Sequence, residues 1–497
     1  MNCRYLYLVA ALTMIIGCAK PDDGSDSGDD SKVDPAPVEK PGTFHTDESL
    51  TIDLGMPVKF GSSGHISIFK SDGTKVDDIN LADLAGVTIR EDGVMIPNNQ
   101  ITDASKMTTF MDALGSKSSY RRIVHYTPLR IDGNNLIVKP HSSVLEFDTE
   151  YYVTIDAGAL EGFGGIEAGK KTFKTVSKPA AGTEISVAPS GKADFRTIQG
   201  ALNYAMGSSS AMTIKVASGT YEEMLYLRDC KDLTIKGFNS SASRISYPNN
   251  EGWMNGSGSG TSSVPSINGT IGKNGGRSIF LVENCDNLKL ENITIENTYG
   301  NEKGQAECIY FNSGSNKHRL NVENCAFVSL QDTFLCKGIC YVHNSLIAGH
   351  CDYIWGYPDV CLFEDCEIRT RAKGYIVQAR VPSKSSKGFI FLNCRLTAES
   401  GLADESVWLA RSGGSSDYYD NVLFVGCKMC GAIRKAGWCT DGGKAPNPSV
   451  ATAASGWREY NSVDSKGTAI TSGRASCGLI LNASQAAPYL SKDLILN

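Results

Sequence analysis

The sequence predicts an all-β chain, a parallel β-helix preceded by an antiparallel β-sandwich. Three observations carry this. Short apolar strands recur, among them Leu233-Thr234-Ile235, Leu288-Lys289-Leu290 and Ile293-Thr294-Ile295. Turns of one kind recur with them: Asn284-Cys285, Asn324-Cys325, Asp365-Cys366, Asn393-Cys394 and Gly426-Cys427. They stand 28 to 41 residues apart, so the coils carry loops or two coils intervene. A repeating polar-Cys unit beside β-strands is the signature of a stacked solenoid. A second sandwich would need hairpin turns with strict alternation, and few Asn-Gly signals occur. The third observation is the placing of the cysteines. Fourteen of the sixteen lie between Cys230 and Cys477, several at matching repeat positions. They read mostly as buried thiols acting as small apolar side chains, with some disulfides open.

At 497 residues the chain is long enough for two or three domains. Residues 1–17 read as a secretory signal: Arg4, an apolar stretch from Leu6 to Ile16, then Gly17-Cys18. Ile15-Ile16-Gly17-Cys18 resembles a bacterial lipobox, which implies lipid attachment at Cys18; a plain signal peptide is the alternative. Residues 18–42 follow as a tether rich in Asp, Ser and Gly, too polar to bury a core. An acidic stretch behind a lipid cysteine resembles the surface-export signal of Bacteroidetes lipoproteins. That implies an outer-membrane lipoprotein exposed at the cell surface, with a periplasm-facing spacer as the alternative. The net charge of −6 owes much to this tether and says little about a substrate.

Residues 43–178 read as the sandwich. Alternating runs span Leu50 to Leu54, His65 to Phe69, Ile123 to Tyr126, Leu136 to Val138 and Tyr151 to Ile155, with turns such as Asp132-Gly133-Asn134. The run from Glu150 to Ile155, with Lys171-Thr172-Phe173 after a Gly-rich stretch, resembles bacterial Ig-like domains. His125 and His141 read as structural or solvated, and a spacer or carbohydrate-contacting role fits the domain. After the linker Pro179-Ala180-Ala181-Gly182, the β-helix domain runs from 183 to 497. Phe195, Ile198, Ala201, Leu202 and Ala205 fall on one helical face, with Asp194 as the expected N-cap. That helix would cover the open end of the solenoid.

Asp332 and Asp352 stand twenty residues apart, close to one coil of such a solenoid. One coil on, a side chain returns to the same wall about 4.8 Å up the stack. Two adjacent carboxyls can divide labour as nucleophile and general acid. Other candidates are weaker. Gly256-Ser257-Gly258-Ser259-Gly260 fits a serine-hydrolase elbow, but no apolar strand leads into it. Cys427-Lys428-Met429-Cys430 lacks the second pair that a zinc site needs. Seven scattered histidines, no phosphate loop and no basic patch give no metal, no cofactor and no nucleic-acid partner.

From about Ile185 onward the chain resembles the pectin methylesterase family, carbohydrate esterases on a right-handed parallel β-helix. The resemblance rests on motifs in order: Asp194-Phe195-Arg196-Thr197-Ile198, Gly219-Thr220-Tyr221-Glu222-Glu223, Gly304-Gln305-Ala306, Gln331-Asp332-Thr333, Asp352-Tyr353-Ile354-Trp355-Gly356, Trp408-Leu409-Ala410-Arg411, Ala436-Gly437-Trp438 and Glu459-Tyr460-Asn461. It implies Asp352 as nucleophile, Asp332 as general acid and then base, Gln305 and Gln331 as oxyanion donors, and Arg411 as the group orienting Asp352. Arg411 is expected to favour ionised Asp352, and Asp352 with burial to raise Asp332. The substrate implied is methyl-esterified pectin, hydrolysed by a monomer. Two departures bear on substrate contacts. Tyr353 and Trp355 stand where the family usually has Phe. The Pro-Trp that usually follows the arginine is replaced by Ser412-Gly413-Gly414, so a sugar platform falls to Trp355, Trp408 or Tyr357, with Tyr221 as a further contact. The rival reading is a non-catalytic, lipid-anchored pectin-binding protein on the same β-helix. A lyase or glycosidase would need other acid clusters or calcium ligands.

Overall fold

The computed structural model describes residues 43–497 except 100–106, 117–120, 255, 257–275, 313–314, 316 and 441–443. The secretory segment, Cys18, the tether and most of the Gly256–Gly260 stretch lie outside the described residues. The described part belongs to one compact unit.

The N-terminal strands pair antiparallel, except that the short Thr43–Phe44 runs parallel to Ile166–Thr175. Strand Glu150–Ile155 lies between His65–Lys70 and Ile166–Thr175, and Leu50–Asp53 pairs with Asn135–Val138. Their inward faces alternate: in Glu150–Ile155, Tyr151, Val153 and Ile155 are buried and pack with Leu50, Ile52, Ile68 and Phe173. The expected runs all appear as strands, and Arg122–His125 pairs with Met111–Leu114 as a separate hairpin.

From Glu184 onward the pairing changes character. One continuous sheet of 23 strands winds with parallel pairing throughout. Three strands make a coil. Met212–Val216, Leu233–Gly237 and Leu288–Glu291 stack on one wall; Gly219–Tyr221, Ser243–Tyr247 and Thr294–Asn297 on a second; Leu225–Arg228, Phe280–Glu283 and Ile309–Asn312 on the third. The interior is an apolar column in which Phe363, Phe391 and Phe424 stack at 5.0 and 4.5 Å between ring centroids.

The polar-Cys turns prove to form two rows. Asp229-Cys230 and Asn284-Cys285 occupy one. Asn324-Cys325, Asn344-Ser345, Asp365-Cys366, Asn393-Cys394 and Gly426-Cys427 occupy the other. Two coils therefore intervene between Asn324 and Asp365, with Asn344-Ser345 filling the gap. The first residue of each turn has positive φ, from 45° at Asn344 to 64° at Gly426. Asn, Asp and Gly are the residues that tolerate that conformation. The thiol that follows points inward and donates to a backbone carbonyl, as Cys394 does to Phe363 O at 3.3 Å. Among the described residues no disulfide joins the cysteines from Cys230 onward.

Helix Ile198–Met206 packs on strands Glu184–Val187, Met212–Val216 and Leu225–Arg228, at the open end of the coil stack. Its N-cap is Thr197, whose hydroxyl accepts from Gly200 N at 3.0 Å. Asp194 is instead held by Ser186, accepting from its backbone and hydroxyl at 2.7 Å each. Glu223 takes the helix's first free N–H groups, from Ile198 at 2.8 Å and Gln199 at 2.9 Å.

Candidate active site

The third wall carries the paired acids. Gln305, Gln331 and Cys351 are joined by successive parallel bridges, so the residues that follow the last two, Asp332 and Asp352, lie on adjacent coils. The Asp332 N–H donates to Cys351 O at 3.0 Å. Both aspartates have positive φ, 65° and 48°, where the chain leaves regular strand geometry. Both are buried, 5% and 4% exposed.

Their partners differ. Asp352 faces a cation and an amide. Arg411 Nε donates to Oδ1 at 2.8 Å, its Nη2 donates to Oδ2, and Gln378 Nε2 donates to Oδ2 at 2.9 Å. The Arg411 guanidinium is steadied over the Tyr375 ring, 4.5 Å from its centroid. Asp332 accepts from Arg277 Nη2 at 3.0 Å. That guanidinium is already shared: its Nε donates to both oxygens of buried Glu307 at 2.8 and 2.9 Å, and its Nη1 to Glu251 at 2.5 Å.

Burial raises the pKa of both aspartates. At Asp352 the Arg411 hydrogen bonds and charge pull it back. At Asp332 the charge of Glu307 adds to burial, Arg277 opposes, and Asp352 raises it again, leaving it well above the carboxylate range. Arg411 favours ionised Asp352, as expected, but desolvation is the larger effect and the net shift is upward. Burial and the charge of Glu307 favour the protonated form of Asp332, while Arg411 favours the ionised form of Asp352.

Gln305 and Gln331 are half-buried on the row that leads into the aspartates. Neither side-chain amide bonds to another described residue, so both can donate toward a group held over Asp352. The same row continues through Cys351 to Tyr375 and Trp408.

The aromatic candidates divide. Tyr357 is half-buried beside the site and meets Tyr418 edge-on at 5.2 Å. Trp355 adjoins the site but is 6% exposed, with Arg380 and Arg277 lying 5.0 and 5.8 Å from its ring centroid. Trp408 is 9% exposed, with Arg434 stacked on it at 4.5 Å. Neither indole offers an open platform, because a guanidinium already occupies a face of each. Tyr221 is a correction. It is 4% exposed, its hydroxyl donates to Ala217 O at 3.0 Å, and it stacks in register with Ile245 in the first coils. It borders a cavity of about 840 Å³ between the N-terminal strands and those coils, whose lining includes neither Asp332 nor Asp352. His125 and His141 are structural: His125 is buried against Tyr247 and Trp253, and His141 Nδ1 donates to Asp77 Oδ1, 2.7 Å away.

Sequence reasoning missed Gln378, Arg380, Arg277, Glu307 and Glu251. Gln378 was findable, since it stands one coil above Trp355 in register. Arg277 follows a Gly-rich stretch with no periodic pattern to place it.

A pectinesterase family model matches residues 184–467. Pectinesterase 31 of Arabidopsis thaliana is 28% identical over 269 residues, covering 51% of this chain and 76% of that protein. Probable pectinesterase A of Aspergillus niger is 30% identical over 253 residues, covering 50% and 70%. The crystal structure of a pectin methylesterase from Aspergillus niger superposes with a TM-score of 0.50 at 24% identity, over 64% of this chain and 95% of that one. A pectin methylesterase mutant in complex with a hexasaccharide gives a TM-score of 0.50 at 20% identity, over 64% and 98%.

Proposed function

The chain belongs to the pectinesterase family, and on that premise we propose that it removes methyl esters from galacturonate residues of pectin through an aspartyl acyl-enzyme. Asp352, ionised and oriented by Arg411 and Gln378, attacks the C6 carbonyl carbon. The carbonyl oxygen becomes an oxyanion and accepts hydrogen bonds from the Gln305 and Gln331 amides. As the C–O bond to methoxide breaks, Asp332 gives it a proton, and methanol leaves an anhydride between Asp352 and the sugar. Asp332, now a carboxylate, takes a proton from water. The resulting hydroxide attacks the anhydride, releasing galacturonic acid, which loses its proton to solvent, and restoring both aspartates. Proton and electron pair balance without a cofactor.

The observation that carries this reading is the unequal treatment of two stacked carboxyls. One accepts from a guanidinium and an amide of its own; the other shares a single guanidinium with Glu307 and Glu251, and the Glu307 charge favours its proton. The test is methanol release from highly methylated pectin by the wild type and by Asp352→Ala. Release is expected from the first alone. Equal release from both would remove Asp352 from its role, and binding with no release from either would favour the binding-protein reading.

The Ig-like character of residues 43–178, supported by the run from Glu150 to Ile155 with Lys171-Thr172-Phe173, and export to the cell surface, supported by the signals at Cys18 and in the acidic tether, belong to the same proposal. Labelling with a fatty acid in a bacterial host should tag the wild type and leave Cys18→Ser untagged; label on both would dismiss the lipid anchor.

A further inference from the structure

We propose that Cys336, Cys340 and Cys361 form a three-sulfur site for monovalent copper, a structural ion that ties together the two coils carrying the paired aspartates. This goes beyond the esterase reading and does not depend on it. The three thiols are wholly buried, and their Sγ atoms all lie within 4.8 Å of one another. Histidine spacing and C-x-x-C pairs point to no metal in the sequence; this group arises from the stacking of coils.

The path of the chain explains the cluster. Strand Phe334–His343 turns a corner of the coil. Phe334, Leu335 and Cys336 pair with Ile309, Tyr310 and Phe311 on the third wall, whereas Ile339 to His343 pair with Arg319–Glu323 on the first. Between these stretches Gly338 has a φ of 74°. Cys336 and Cys340 therefore stand on either side of one corner, both packed in the interior column. Cys361 lies one coil on, directly in register with Cys340. Two sulfurs from one coil and one from the next make a triangle.

The other cysteine stack differs. Cys366, Cys394 and Cys427 follow one another along a single row of turns. Its first and last members stand about 10 Å apart, two coil spacings, so no single ion touches all three.

The donor set narrows the ion. The group holds three sulfurs and neither imidazole nor carboxylate. Such soft ligands select Cu(I), zinc or iron–sulfur clusters. Structural zinc takes four donors, and an iron–sulfur cluster takes four cysteines. Three-coordinate monovalent copper remains. Metal–thiolate bonds of about 2.3 Å would set the sulfurs about 4 Å apart, a triangle that fits within the observed spacing. Charge favours the same ion. As copper binds, an S–H bond breaks, a Cu–S bond forms and the proton goes to solvent. One thiolate neutralises a monovalent ion while the other two sulfurs donate lone pairs, so the apolar column gains no net charge. A divalent ion would need a second thiolate.

Placement gives the ion its effect. Strand Phe334–His343 begins just after Asp332, and Cys361 belongs to strand Leu346–Glu364, which carries Asp352. The ion would hold these neighbouring coils to each other from inside the column.

The test measures copper in the full chain, expressed with added copper and then titrated with Cu(I) under nitrogen against a Cu(I)-selective chelator. The proteins are the wild type, Cys340→Ala, Cys361→Ala and, as a buried thiol of the other stack, Cys394→Ala. One copper per chain is expected in the wild type and in Cys394→Ala, and almost none in the other two. X-ray absorption of the copper-loaded wild type should show three sulfur neighbours, a measurement that stands even if a variant fails to fold. Amides of Phe334–His343 should exchange about tenfold more slowly with copper when the free ion is about tenfold above its dissociation constant. A wild type that takes no copper, copper kept by Cys340→Ala and Cys361→Ala, nitrogen or oxygen neighbours on the metal, or a Cys340–Cys361 disulfide in peptide maps of the native protein would each overturn the site. Unchanged exchange with copper bound would overturn its tie between the coils.

Discussion

Asp332 shares one guanidinium with two other acids. Glu307 is wholly buried, and its two oxygens take Arg277 Nε; Asp332 and Glu251 take the terminal nitrogens. Three carboxyls against one cation favour retention of a proton within the group; burial raises both Glu307 and Asp332, and at Asp332 the Glu307 charge adds to it. In the proposed mechanism Asp332 is protonated when methanol leaves, so loss of its proton would set the alkaline limb of kcat. Glu307→Gln removes a like charge and frees Arg277 to act more strongly on Asp332. Both effects lower the pKa of Asp332. The alkaline limb should therefore move to lower pH, by about 1–2 units, in a pH profile of methanol release. The groups facing Asp332 that stay fixed are Arg277, Asp352 and Arg380. An unmoved limb would assign the shared proton to Glu307 and take the acid's role from Asp332.

At the scale of strands and turns, the sequence carried the period better than the reach. Asn324-Cys325 and Asp365-Cys366 marked the turn row because positive φ at each coil restricts the residue to Asn, Asp or Gly, and the column inside restricts its neighbour to something small. Ser345 broke the pattern by eye, although it occupies the same place and accepts from Cys325 N at 3.0 Å. Asn284-Cys285 matched the pattern yet belongs to the other row, since residue type does not say which corner of the coil a turn makes. The twenty-residue step from Asp332 to Asp352 was legible because both lie on the backbone of one wall. Arg277 and Arg380 were not, because an arginine acts at the end of a long side chain and its target depends on neighbours that spacing cannot reveal. Glu223 illustrates the same limit. It was legible as part of a motif, but its work, accepting the first N–H groups of helix Ile198–Met206, appears only once the helix is packed against its strand.

The whole molecule adds a connection between the N-terminal strands and the catalytic wall. Arg122, from hairpin strand Arg122–His125, is fully buried among the first coils. Its Nη1 donates to Leu225 O at 2.8 Å and Ile279 O at 3.2 Å, and its Nη2 to Gly276 O at 2.9 Å and Ser278 O at 2.6 Å. Three of those carbonyls belong to the segment that carries Arg277, the partner of Asp332. Beside it His125 stacks on Tyr247 at 5.3 Å and meets Trp253 at 5.7 Å; the Glu251 N–H in that segment donates to Gln305 O at 3.0 Å. Burial lowers the pKa of Arg122 to about 9, so it stays charged at neutral pH. Truncating it strands several buried carbonyls, and removing one side of such an arrangement costs about 3–5 kcal/mol. Arg122→Ala should lower the thermal midpoint and, well below that midpoint, also lower kcat for methanol release, with Arg122→Lys recovering part of both. Hydrogen exchange should show the amides of 276–279 losing protection in Arg122→Ala before those of Phe389–Leu392, deep in the later coils. A variant that melts earlier yet turns over like the wild type in the cold would confine Arg122 to joining the two parts of the fold. A fall in kcat with loosened 276–279 amides would make the N-terminal strands part of the support beneath the catalytic acid.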